Sequence, residues 1–200
     1  MARGAFVMAS LVLATAATAQ EGAKAQPTHI EEADVERMNK AMAPGEMQQL
    51  LARLEGDWTY QVKSWRNPEG PPDVAQGTAT KRMILDGRYL EEIHEGVIQG
   101  SPTEGRGITG WDNLAKEFQV AWIDNFSTAV LYCRGRLEAD GKSWTVYGSH
   151  LDPMTDGKVE LRLVTRIVDA DHHTFEHYMK PAGAPEKQWM EIRYTRKGKS

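Results

Sequence analysis

Two periods divide this chain. Between Glu46 and Leu54 the apolar residues Met47, Leu50, Leu51 and Leu54 recur at i, i+3, i+4 and i+7, one face of a short helix that Gly56 stops. After Gly56 apolar and polar positions alternate. Alternating runs near 58–66, 76–85, 88–98, 104–111, 117–124, 127–137, 143–150, 158–168, 173–180 and 188–196 predict about ten strands. Turn-forming residues separate most of them, at Asn67-Pro68-Glu69-Gly70, Asp86-Gly87, Asp112-Asn113, Asp140-Gly141, Asp156-Gly157 and Pro181-Ala182-Gly183. The connections are short and no helical stretch intervenes, so parallel crossovers have no room. The expected class is all-β: an antiparallel up-and-down β-barrel of about ten strands preceded by one or two short helices. A sandwich is the alternative.

Upstream of the barrel the pattern changes twice. Thr28-His29-Ile30-Glu31 fits a capping box that opens a charged helix reaching about Met42, and Pro44-Gly45 breaks it. Earlier still, Arg3 precedes an uncharged apolar run from Ala5 to Ala17, followed by the small-residue sequence Ala17-Thr18-Ala19. That run is too short to span a bilayer and reads as a signal peptide cleaved near Ala19. The division expected is 1–19 signal peptide, 20–45 flexible leader and charged helix, and 46–197 a single barrel domain. The location expected is periplasmic or secreted.

Composition narrows the picture. Loss of the signal takes the formal net charge from -4 to -5, because Arg3 is its sole charge. Mild acidity without a clustered Lys/Arg stripe argues against nucleic acid as a partner. With Cys133 as the one cysteine, no internal disulfide can form. The partner expected is a small molecule, with no membrane span; the oligomeric state is not readable.

The residues also carry a resemblance. Leu54-Glu55-Gly56-Asp57-Trp58, Trp65-Arg66-Asn67-Pro68 with Pro71-Pro72, and Met83-Ile84-Leu85-Asp86-Gly87-Arg88-Tyr89-Leu90 are similar to an uncharacterised bacterial family, the domain of unknown function 1579. The similarity continues through Gly105 to Asn113, Trp122-Ile123-Asp124-Asn125 and Met190 to Arg196, nearly all of the chain after residue 46. The Gly-x-Trp at the first strand also resembles lipocalin-type (calycin) barrels, in which the Trp plugs the closed end. The resemblance implies a fold and no activity. In relatives a His often precedes the first-helix leucines; Met47 and Gln48 stand here, so no role for such a His carries over. Leu50, Leu51, Leu54 and Trp58 are expected to close one barrel end.

Several motifs fail on context. Gly105-x-Gly107-x-x-Gly110 matches the dinucleotide fingerprint in letters, but that fingerprint needs a following helix and here runs into an Asp-Asn turn. Glycines on one strand face admit a close neighbour instead. His173 and His177 share a face but lie about 13 Å apart along a strand, too far for one ion. His172 points the other way, and no zinc or calcium motif is present. No metal and no cofactor are therefore expected, although a site assembled across strands and a haem on one axial His both stay open. Cys133 lies in an apolar alternation, where an inert buried thiol is the default.

Faces give the candidate chemistry. Phe118, Val120, Trp122 and Asp124 share one; Trp144, Val146, Gly148 and His150 another; Trp189, Glu191 and Arg193 a third. If these line the barrel, the interior is Trp-rich with sparse polar groups, the usual make-up of a small-molecule pocket. The ligand-binding candidates are Trp122, Asp124, Trp144 and Trp189, with Arg134 or Arg193 as partners for Asp124. If the interior is catalytic, the acid–base candidates are Asp124, Glu191, Glu92, His94 and His150. Glu92 and His94 lie about 7 Å apart along one face, close enough to share a water. Three functions remain open: a binding module for an apolar or aromatic ligand, an acid–base enzyme using the same cavity, and a partner-binding protein contacting others through the charged helix.

Overall fold

The structure, a computed structural model, describes residues 31–198 apart from Arg66, Pro68 and Gln99. The expected signal peptide, the leader and Thr28 lie outside the described residues; Glu31 is extended at the N-cap of the first helix with no side-chain cap, so that helix opens three residues later than the expected Thr28 capping box. Two helices, α1 (Glu32–Met42) and α2 (Glu46–Ala52), precede ten strands. These are β1 (Gly56–Ser64), β2 (Asp73–Ile84), β3 (Tyr89–Ile98), β4 (Ser101–Asp112), β5 (Glu117–Asp124), β6 (Leu131–Leu137), β7 (Ser143–Leu151), β8 (Lys158–Ile167), β9 (His172–Pro181) and β10 (Lys187–Arg196). Each strand pairs antiparallel with its sequence neighbours, and β1 pairs with β10 to close the barrel. Closure leaves no sheet edge unpaired. The one expected strand whose start moves far is β6. Asp124 Oδ1 accepts from the amides of Phe126 and Ser127, and Ser127 Oγ accepts from Ala129 N, so residues 125–130 form a turn before pairing resumes at Leu131.

The two barrel ends differ. At one end α2 lays Leu50 and Leu51, with Leu54 just after it, into a buried cluster with Leu90, Phe118, Trp144, Leu163 and Ile167. Gln48 fastens this helix at both ends of its amide: Oε1 accepts from Gly45 N at 2.8 Å and Nε2 donates to the Trp111 carbonyl at 3.2 Å. Trp58 belongs to a second cluster on the β10–β1–β2 wall, and its Nε1 donates to the Leu54 carbonyl at 3.0 Å. The Arg196 guanidinium stacks 4.1 Å over the Trp58 ring and donates to the carbonyls of Glu55, Arg53 and Ala170. The four expected closing residues are thus joined, through two clusters and one hydrogen bond. The Trp-Asp-Asn turn serves the same end: Asp112 accepts from its own turn amides, while Asn113 donates to the carbonyls of Ala41, in the last turn of α1, and Ala43 just beyond it. No helix covers the opposite end among the described residues.

Candidate functional site

Inward-facing rings fill the middle of the barrel. Trp122 lies flat across Gly105 and Gly107 of β4, and a Cβ at either glycine would collide with its ring. The letters of a dinucleotide fingerprint are therefore a seat for a tryptophan. Tyr60 lies in the same way over Gly77 and Gly96. His94 meets Trp122 edge-on at 5.2 Å and also contacts Tyr60 and Tyr194.

A buried charge cluster sits among these rings. Lys81 Nζ lies 2.6 Å from Glu92 Oε2, and the lysine side chain is only 4% exposed. His94 Nε2 is 3.4 Å from the same carboxylate oxygen, and Thr109 Oγ1 donates to the other at 3.3 Å. Lys81 also lies 4.6 Å above the Tyr194 ring. The expected Glu92–His94 relation is thus a direct contact, with no water needed. Burial alone would raise the pKa of Glu92, but the Lys81 charge and the His94 hydrogen bond outweigh it and hold the carboxylate ionised. Burial, helped by Lys81, lowers the pKa of His94 against the pull of Glu92 and keeps the imidazole neutral. Burial and the Glu92 charge raise the Tyr194 phenol well above its usual range. Lys81 is a member that sequence reasoning missed. Its signal was parity, since it shares a face with Ala75, Gly77 and Ala79, but lysine defaults to the outer face.

The other candidates separate. Asp124 Oδ2 accepts from Trp122 Nε1 at 2.9 Å, while Oδ1 caps its own turn. Neither expected arginine reaches it: Arg134 pairs with Glu117 and Arg193 with Glu191, both on the outer face. Glu191 is thereby corrected, lying on the outside against an Arg193 that is 63% exposed. The cause is a β-bulge between Gln188 and Met190, which turns Met190, Ile192 and Tyr194 inward while leaving Trp189 against His177 at 5.4 Å. Trp144 stacks on Phe118 at 4.9 Å inside the sealed end, where it is core and not a pocket wall. His150 faces inward near the open end and is half-buried. Cys133 is fully buried, which pushes its thiol up to about 11.

Two further histidines face inward from β9. His173 stacks on Tyr194 at 4.1 Å and meets Trp58 edge-on at 4.3 Å; neither of its ring nitrogens has a hydrogen-bond partner. Burial, with the Lys81 charge, lowers its pKa to about 2. His177 Nε2 is likewise buried without a partner, and burial, with His150, lowers its pKa to about 4. Among the described residues no group of three or more His, Cys, Asp or Glu side chains is placed to hold a metal ion.

Toward the open end the inward-facing side chains stay in part accessible. Val120, Trp122, Leu131, Phe175, His177 and Trp189 point into the barrel and each is half-buried, with Val120, Leu131 and Phe175 packed against the sealed-end cluster. Two hollows lie outside the wall. One of about 450 Å³ runs under the α1–α2 connection along Tyr89, Ile108, Trp111 and Tyr132, and one of about 200 Å³ lies beside Gln48 and Met83.

These features define a class: a closed ten-strand antiparallel barrel, sealed by a helix at one end, with a polar aromatic interior. The chain belongs to the family described as "Protein of unknown function (DUF1579)", whose profile matches residues 43–196. Among solved structures it is similar to Rv2717c from M. tuberculosis, at 17% identity and a TM-score of 0.58 over 78% of this chain and 100% of that one. It is also similar to the S-type phycobiliprotein lyase CPES from Guillardia theta, at 10% identity and a TM-score of 0.55 over 82% and 98%. At such identities the likeness shows the fold alone. No curated protein sequence matches the chain significantly.

Proposed function

We propose that the protein is an exported barrel that binds one small apolar or aromatic molecule through its open end. The observation that carries this reading is the set of inward-facing but half-buried side chains Val120, Trp122, Leu131, Phe175, His177 and Trp189. Apolar walls with a few polar groups suit a small ligand, and a barrel of this size has room for one. Export rests on the Ala5–Ala17 run and the Ala17-Thr18-Ala19 site; protein recovered from the periplasm should have an intact mass beginning at Gln20.

Binding is tested with the neutral probe N-phenyl-1-naphthylamine. Titration should raise probe fluorescence and quench tryptophan emission with one-to-one stoichiometry. Leu131→Trp, which adds bulk at the open end, should abolish both changes. Equal binding by wild type and variant would refute an interior site.

A second reading is favoured by the Lys81–Glu92–His94 contact: acid–base catalysis of the isomerase, lyase or hydrolase type, with Glu92 orienting His94 as the proton-transfer group. Turnover of a bound compound, lost in His94→Gln with affinity retained, would establish it.

A further inference from the structure

The open end is walled mainly by rings and aliphatic groups, and among them is a buried polar atom with no partner, His177 Nε2. Trp189 meets the His177 ring edge-on at 5.4 Å and Phe175 stands 6.5 Å away. A buried nitrogen without a hydrogen bond is costly, and a ligand group that satisfied it would recover that cost on binding.

The charges around this end decide what kind of group this is. Among the described residues, the inward-facing charges within the barrel are Lys81 and Glu92, which hold each other at 2.6 Å. At the rim Asp124 is already bonded to Trp122 Nε1 and to its own turn amides, and Lys187, turned inward by its register with Met179, is already paired with Glu69. An anionic ligand would find no uncommitted cation among the described residues. His177 does not supply one, because its burial, with His150 nearby, keeps the imidazole neutral at physiological pH. What remains for recognition is ring contact and one neutral hydrogen bond.

We infer that the ligand is a flat, uncharged aromatic molecule with one hydroxyl or carbonyl group, and that His177 Nε2 makes the hydrogen bond to that group. This rests on the ligand-binding reading above. A hydroxyl would donate to an unprotonated Nε2; a carbonyl would accept from Nε2–H in the other tautomer.

The test compares naphthalene, 2-naphthol and 2-naphthoate as competitors of N-phenyl-1-naphthylamine at neutral pH. The expected order is 2-naphthol about tenfold tighter than naphthalene, with 2-naphthoate weakest. His177→Leu should bring 2-naphthol down to the level at which the same variant binds naphthalene, with circular dichroism confirming the fold. The order in the wild-type protein decides the matter even if that variant fails to fold. Naphthoate binding as tightly as naphthol, or naphthol no tighter than naphthalene, would overturn this inference while leaving the binding reading intact. Probe binding with no competition by any of the three compounds would also overturn it alone. Absence of probe binding altogether would overturn both.

Discussion

The two ends of this barrel are built from the same ten strands and differ in what covers them. At the α2 end, Leu50, Leu51 and Leu54 complete a buried cluster, Trp58 is tied to the Leu54 carbonyl, and Arg196 bolts the ring down through three further carbonyls. At the other end, inward-facing rings stay half-buried; unpartnered histidine nitrogens occur in both halves, on His173 beside Trp58 and on His177. The same alternation of apolar residues thus yields a packed core where a helix supplies the missing volume and half-buried rings where no helix docks among the described residues. Between the two lies the Lys81–Glu92–His94 cluster, whose polar groups are satisfied mainly by one another.

If this division is right, substitutions at the sealed end should change stability and those at the open end should change binding. Trp58→Ala should be the largest, costing about 3–5 kcal/mol in a denaturant titration through lost burial and a residual cavity. A loss below about 1 kcal/mol would mean that the sealed end does not depend on the ring. Glu92→Gln should cost about 3 kcal/mol, because it leaves Lys81 buried without its counter-ion. Restored stability in the double variant Lys81→Met, Glu92→Gln would confirm that cause.

Acid should act on both ends. Burial holds His177 at about 4 and His173 at about 2, below the ordinary imidazole value of about 6.5. Between those values the unfolded chain binds protons that the folded chain refuses. The stabilisation is therefore complete above pH 6.5 and lost as pH falls toward 4, by about 3 kcal/mol for His177 alone. Chemical denaturation at pH 7, 5.5 and 4.5 should show the decline, and His177→Leu should make it shallower. The smallest effect expected is that of Asp124→Asn, about 1 kcal/mol, since Asn can still cap the turn through Oδ1. Its mark should be on the probe affinity, because the Trp122 indole loses its charged acceptor.

The sequence made the strands legible because alternation and turn residues agree along nearly the whole chain after Gly56. The Trp122–Asp124 pair was legible for the same reason, and the glycines opposite read correctly as room for a close neighbour. Glu191 was misplaced because a single inserted residue at the β10 bulge reverses parity, and no residue type there announces it. Lys81 was missed because burial of a lysine depends on a partner on the adjacent strand, here Glu92 opposite it on β3. The closure of one end by Leu50, Leu51, Leu54 and Trp58 was legible, because the helical run leads directly into the Gly-x-Trp of the first strand. Trp144 was assigned to a pocket because its parity is inward; parity alone does not say which end is filled.

The central claim, that the open end is the binding site, is tested most directly by a crystal structure of the protein soaked with 2-naphthol. The account predicts density for one ring system between Trp122, Leu131 and Trp189, with its oxygen within hydrogen-bonding distance of His177 Nε2. Density instead in the outer groove along Tyr89, Ile108 and Tyr132, with the barrel interior unchanged, would contradict it.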